Sequence, residues 1–153
     1  GADKMILLSQ RDPRWANIKL GTSNVTIGGY GCTITCLSML FGVTPDETNR
    51  RMIKAQAFSQ GNLVIWAKVP LAFPEWAFVK RVNFYDNNDV KANVPCLVEV
   101  DFDGTPRTDD RHWVIFIGNR ELLDPWTGTP RPTSAYVKFE DSLKGYAIYK
   151  KKR

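Results

Sequence analysis

The run Gly31-Cys32-Thr33-Ile34-Thr35-Cys36-Leu37-Ser38-Met39-Leu40 has the spacing of a buried helix. Ile34, Leu37 and Phe41 lie three to four residues apart and share one face. The pair Gly28-Gly29 and then Tyr30-Gly31 lead into it, so Cys32 falls at the helix start. Backbone N–H groups there have no partner inside the helix, and the positive end of the helix dipole favours an anion. A thiol so placed has its pKa lowered, and the thiolate is the nucleophilic form. Cys36, one turn further in, reads as a small core residue. Burial alone would also account for both cysteines.

Working outward, the chain holds one histidine, His112, which opens the β-branched run Trp113-Val114-Ile115-Phe116-Ile117. Gly118-Asn119-Arg120 turns that strand into Glu121-Leu122-Leu123-Asp124, a short hairpin. The ends of an antiparallel hairpin lie side by side, so Asp124 is within reach of the His112 Nδ1–H. Asp109 and Asp110 compete for this orienting role, but they reach the ring only by folding their segment back over it. A helix-borne Cys, a strand-borne His and a carboxylate on the next strand follow the order used by Cys-His hydrolases.

Four motifs in order carry a resemblance: Ser9-Gln10-Arg11-Asp12-Pro13-Arg14-Trp15, Gly31-Cys32-x-x-x-Cys36-Leu37-x-Met39, His112-Trp113-Val114, and Asp124-Pro125-Trp126-x-Gly128. Together they resemble the papain-fold cysteine peptidases related to bacteriocin-leader (double-glycine) peptidases, in the stand-alone branch found in bacteria and phages. The resemblance implies a papain-like α+β domain: N-terminal helices, with the nucleophile at a helix N-terminus, packed on an antiparallel sheet. It implies a Cys32-His112-Asp124 triad acting on a peptide or isopeptide bond, with bacterial cell-wall peptides ahead of proteins as substrate. It also implies that Gln10 supplies the oxyanion donor, although Gln10 stands much further upstream of Cys32 than its counterpart does in leader peptidases. The alternative of another class is a non-catalytic binding or structural module on the same fold, such as a phage virion component.

The chain has 153 residues and 43% hydrophobic content, which suits one domain over residues 1–153 with its own core. No apolar run is long enough to span a membrane. Met5-Ile6-Leu7-Leu8 is too short for a signal peptide, which points to a cytoplasmic or a released, virion-associated protein. Net charge is +5, partly from the solvated run Lys150-Lys151-Lys152-Arg153. No basic helix is interleaved with aromatics, so nucleic acid is not expected as a partner. Three cysteines do not suit a disulfide framework, and with one histidine they match no zinc spacing. No metal or other cofactor is expected.

Between these landmarks, residues 11–26 read as a turn-rich loop anchored by Trp15. Thr44-Pro45-Asp46-Glu47 reads as a capping box opening a helix that runs to about Ala57. Leu63-Val64-Ile65-Trp66 fits a short helix or a strand, and the family resemblance favours a helix. Strands are expected over Ala77–Tyr85, Cys96–Phe102 and Tyr146–Lys150, with a helical turn near Asp89–Ala92. Residues 103–111 are expected to overhang the site. Helices first and antiparallel strands afterwards give the α+β class.

Overall fold

The structure is a computed structural model that describes residues 5–101, 111–136 and 143–153. It is a mixed α+β fold whose described residues hold five helices, a six-stranded antiparallel sheet and a small two-stranded sheet. The segment expected to overhang the site, with Asp109 and Asp110, lies outside the described residues save for Arg111.

The Cys32 helix forms as its spacing dictates. A single turn, α1 (Ile27–Tyr30), capped by the Thr26 side chain, runs into α2 (Cys32–Phe41) through Gly31. A side chain at Gly31 would overlap the Ile27 backbone, so this close join of two helices requires glycine. The α2 helix stops at Gly42, whose φ of 78° is the left-handed conformation that ends helices. Ile34, Cys36, Leu37 and Met39 are fully buried. Truncating Leu37 to Ala would cost about 2–5 kcal/mol.

The next helix, α3 (Pro45–Lys54), begins where expected but ends before Ala57, and its capping box does not form. The Thr44 side chain makes no cap bond; Glu47 turns instead to Arg50 and Arg51 along the helix surface. Asn49 points inward and ties the 11–26 loop down, accepting from Gly21 N–H (2.8 Å) and donating to Lys19 O (3.0 Å). The ambiguous stretch is neither one helix nor one strand. β1 (Phe58–Ser59) pairs with β2 (Leu63–Val64), followed by a 3₁₀ turn at Trp66–Lys68 and the single turn α4 (Val69–Ala72).

The main sheet comprises β3 (Trp76–Val82), β4 (Cys96–Asp101), β5 (Arg111–Gly118), β6 (Glu121–Asp124), β7 (Thr129–Pro132) and β8 (Leu143–Lys151). A short helix, α5 (Asn87–Ala92), capped by Asp86, joins β3 to β4. Strand order is β3-β8-β4-β5-β6-β7, all neighbours antiparallel. Both faces are covered, which is why β4 is buried along its whole length rather than alternating with solvent. On one face Leu97, Trp113, Ile115, Ala147 and Tyr149 share a core with α2 and with Met52, Val69 and Phe73. On the other, Val98, Val114, Phe116, Leu122, Tyr146 and Ile148 pack with Val90 of α5 and with Tyr136. The α2 helix lies against β5, which sets its first residue beside the start of that strand.

Candidate active site

Cys32 is the first residue of α2 and is partly exposed. His112 is the second residue of β5, and Asp124 the last of β6. In the hairpin, Ile115 pairs with Leu123 and Phe116 with Leu122. Continuing that register sets Asp124 opposite Val114, so Asp124 and His112 are diagonal neighbours on one face. The turn that fixes this register runs through Gly118, Asn119 and Arg120, all at positive φ.

His112 Nε2 lies 2.9 Å from Asp124 Oδ1. The ring nitrogen on the carboxylate is therefore Nε2 and not the expected Nδ1, because the carboxylate sits diagonally across the sheet. This leaves Nδ1 for the Cys32 thiol, which is hydrogen-bonded to the imidazole. Three of the four anticipated residues thus form one chain of contacts.

Asp124 is 1% exposed and is held by four donors. Its Oδ1 accepts from His112 and from Trp126 N–H (2.8 Å); its Oδ2 accepts from Tyr136 Oη–H (2.8 Å) and Arg131 Nη1 (3.0 Å). The Trp126 bond is the local turn that Asp followed by Pro promotes. Burial pushes the carboxyl pKa up, but His112, Tyr136 and Trp126 outweigh it and hold it well below the usual carboxylate range. Burial likewise disfavours the imidazolium, and the Asp124 and Cys32 contacts overcome that, raising His112 to about 9. Burial raises the Cys32 thiol, but the His112 hydrogen bond and charge, the Trp113 backbone and Thr33 bring it below its ordinary value. Both shifts favour a thiolate–imidazolium pair near neutral pH.

The other two cysteines contrast with it. Cys36 is fully buried, its Sγ on Trp113 O (3.3 Å), and burial raises its thiol well above the ordinary value. Burial in β4 pushes Cys96 up to about 12.

Gln10 does not join the contact chain. It is 2% exposed, with its Nε2 donating to Gly28 O in α1 (3.2 Å) and its Oε1 without a partner among the described residues. Its backbone N–H donates to Pro125 O (2.7 Å), so the 9–11 segment lies along the Asp124-Pro125-Trp126 turn. Gly128, at φ 70°, completes that join: a side chain there would strike the Ser9 backbone. Arg11 adds a bond from Nε to Trp126 O (2.9 Å) and stacks on the Trp126 ring.

Arg131 and Tyr136 escaped sequence reasoning. They reach Asp124 only because β7, Thr129-Pro130-Arg131-Pro132, pairs with β6. Two prolines hide a strand from any alternation rule, and they are tolerated because β7 is the sheet's edge. An Arg a few residues after a buried Asp was the one available signal.

A cleft of about 400 Å³ is lined by Gly31 and Thr33, which flank Cys32 in sequence, by the Trp113 that follows His112, and by Trp66; Cys32, His112 and Asp124 are not among its lining residues. No protein-family model matches the chain, and no curated protein and no solved structure shows significant similarity to it.

Proposed function

We propose that the protein is a papain-like thiol hydrolase that cleaves a peptide or isopeptide bond, with bacterial cell-wall peptides the favoured substrate. The observation that carries the reading is the unbroken contact chain from the Cys32 thiol through the His112 ring to the buried Asp124 carboxylate. In the proposed reaction the Cys32 thiolate attacks the scissile carbonyl carbon, and the carbonyl π electrons move onto oxygen. The Cys32 backbone N–H, which has no intrahelical partner at the start of α2, would donate to the developing oxyanion. As the C–N bond breaks, imidazolium Nδ1 gives its proton to the leaving amine. The neutral ring then takes a proton from water, which hydrolyses the thioester and releases the acid and the Cys32 thiolate. Asp124 stabilises the imidazolium throughout and stays ionised. Gln10 would add a side-chain donor if the second hydrogen of Nε2 reaches the oxyanion while the first stays on Gly28.

A binding or structural module on the same architecture is the second reading, favoured by the engagement of Gln10 Nε2 with Gly28 O. The two separate on thiol reactivity, since a binding module needs no depressed thiol. Labelling the native protein with iodoacetamide near neutral pH, with the modified cysteine identified by mass spectrometry, tests the hydrolase. Cys32 is expected to react first, and wall-peptide hydrolysis to vanish in Cys32→Ala. Equal or faster modification of Cys36 or Cys96 would sink the assignment.

A further inference from the structure

The two oxygens of Asp124 meet different kinds of partner. Oδ1 accepts from His112 and from the Trp126 N–H; Oδ2 accepts from the Tyr136 hydroxyl and from Arg131 Nη1, at 3.0 Å. Register brings Arg131 there. It pairs with Leu122 across β6 and β7, and Asp124, two residues further along β6, lies on the same face. The guanidinium is 5.9 Å from the centre of the Tyr136 ring, which is itself 6.3 Å from the His112 imidazole.

Holding the carboxylate in place does not require a cation. The Trp126 N–H already fixes Oδ1 and the Tyr136 hydroxyl fixes Oδ2. What Arg131 adds is charge, so that Asp124 lies between two cations whenever His112 is protonated. A guanidinium on Oδ2 offsets part of the carboxylate's pull on the ring and repels the imidazolium beyond it. Other groups near the pair do not share this effect. Burial keeps the Cys36 thiol and the Tyr136 hydroxyl protonated and neutral. Arg11 bonds the Trp126 carbonyl instead of the carboxylate, and Arg111 contacts Glu99. The Asp124 and Cys32 contacts both favour the imidazolium, and they carry it to about 9 against burial. An imidazolium that holds its proton too firmly at neutral pH is a poor general acid.

We propose that Arg131 is a positioning residue acting through Asp124, a counterweight that draws the carboxylate's charge toward Oδ2 and leaves His112 readier to give its proton to the leaving amine. In the step it eases, the imidazolium Nδ1–H bond breaks and its electron pair stays on the ring. The amine nitrogen takes the proton as its bond to the carbonyl carbon breaks. The role in turnover rests on the hydrolase reading; the effect on the ring does not.

The test follows the His112 ring C–H resonances by NMR in a pH series at low ionic strength. It is run in the Cys32→Ala protein, where the thiolate no longer acts on the ring. There Arg131→Gln is expected to raise the ring's midpoint by about half a pH unit or more, while Arg131→Lys, which keeps the charge, stays near the parent value. A residue that only braces Asp124 gives the opposite sign, because a loosened carboxylate supports the imidazolium less. An unchanged or lowered midpoint in Arg131→Gln overturns the proposal, and so does an Arg131→Lys midpoint that rises as far. Arg131 is more than a third exposed on the sheet's edge, so its replacement is tolerated there. Arg131→Met, with an apolar stem beside Tyr136, reads the same loss of charge should Arg131→Gln not fold. Iodoacetamide on the protein with Cys32 intact separates the two levels. If it does not single out Cys32 while the midpoint rises, the hydrolase reading fails and the counterweight stands. If Cys32 reacts first and the midpoint does not rise, the counterweight alone fails.

Discussion

Replacing Asp124 by Asn keeps the shape of the carboxylate and removes its charge, and the four donors around it make the outcome calculable. The amide oxygen can face His112 and Trp126 and keep both of those bonds. Its NH₂ must then face Tyr136 and Arg131. The Tyr136 hydroxyl can rotate to accept, while Arg131, more than a third exposed, can swing into water. The ring keeps its orientation and a bond to the amide oxygen but loses the carboxylate's charge, which is what makes such a bond worth about 1.5–3 kcal/mol. At about 1.4 kcal/mol per pKa unit, the imidazolium midpoint should drop from about 9 to roughly 7–8. Because the chain has a single histidine, its ring C–H resonances report this titration without overlap. A pH series by NMR on the wild type and on Asp124→Asn measures both midpoints. Asp124→Asn should retain partial hydrolysis, and Asp124→Ala less. The Ala variant strands a buried Tyr136 hydroxyl and the Trp126 N–H, and should lose about 2–5 kcal/mol of stability. A midpoint still near 9 in Asp124→Asn would refute the claim that this carboxylate holds the imidazolium.

Asp124 also sets a limit on acid stability. Its pKa is depressed from 3.8, so its contribution is complete above about pH 4 and is lost as pH falls toward its native value. The Tm difference between the wild type and Asp124→Asn should therefore shrink below pH 4; a constant gap down to pH 2 contradicts it. Tyr136→Phe, which removes one donor and little volume, should cost about 1 kcal/mol in chemical denaturation and shift the His112 midpoint less than Asp124→Asn does. Gln10→Ala should slow turnover about 10²-fold if its amide serves the oxyanion. Since Gln10 is buried, it should also lower Tm, and a lowered Tm with an unchanged rate assigns Gln10 to structure alone. Gly31→Ala should lower both Tm and the iodoacetamide rate at Cys32, because the new methyl group pushes α1 away from α2; wild-type values for both would show that the join has slack.

Legibility in the sequence tracked how local each signal was. The α2 helix, its stop at Gly42 and the β5–β6 hairpin all follow from short-range pattern and turn chemistry, and each appears near its expected bounds. The juxtaposition of His112 and Asp124 follows from that hairpin, but the choice of Nε2 depends on the diagonal offset, which register alone decides. The capping box failed because Arg50 and Arg51 compete for Glu47, a preference invisible in the spacing of Thr44 and Glu47. The stretch at Leu63–Trp66 was ambiguous because short apolar runs fit either period, and the chain uses both in turn. Arg131 and Tyr136 come to Asp124 only through strand order.

That strand order has a consequence for how the protein is made. The strand β8 lies between β3 and β4, yet residues 143–151 leave the ribosome after every other strand of the sheet. Until they emerge, β3 has no neighbour in the sheet, and β4 offers one bare edge to any other chain. The hairpin that carries His112 and Asp124 can form early, from neighbours in sequence. Strand β3 cannot join the sheet until β8 has slotted in. Loop closure over such distances is slow, so the nascent chain passes through a stage in which the His112–Asp124 hairpin has formed while β3 is still unpaired.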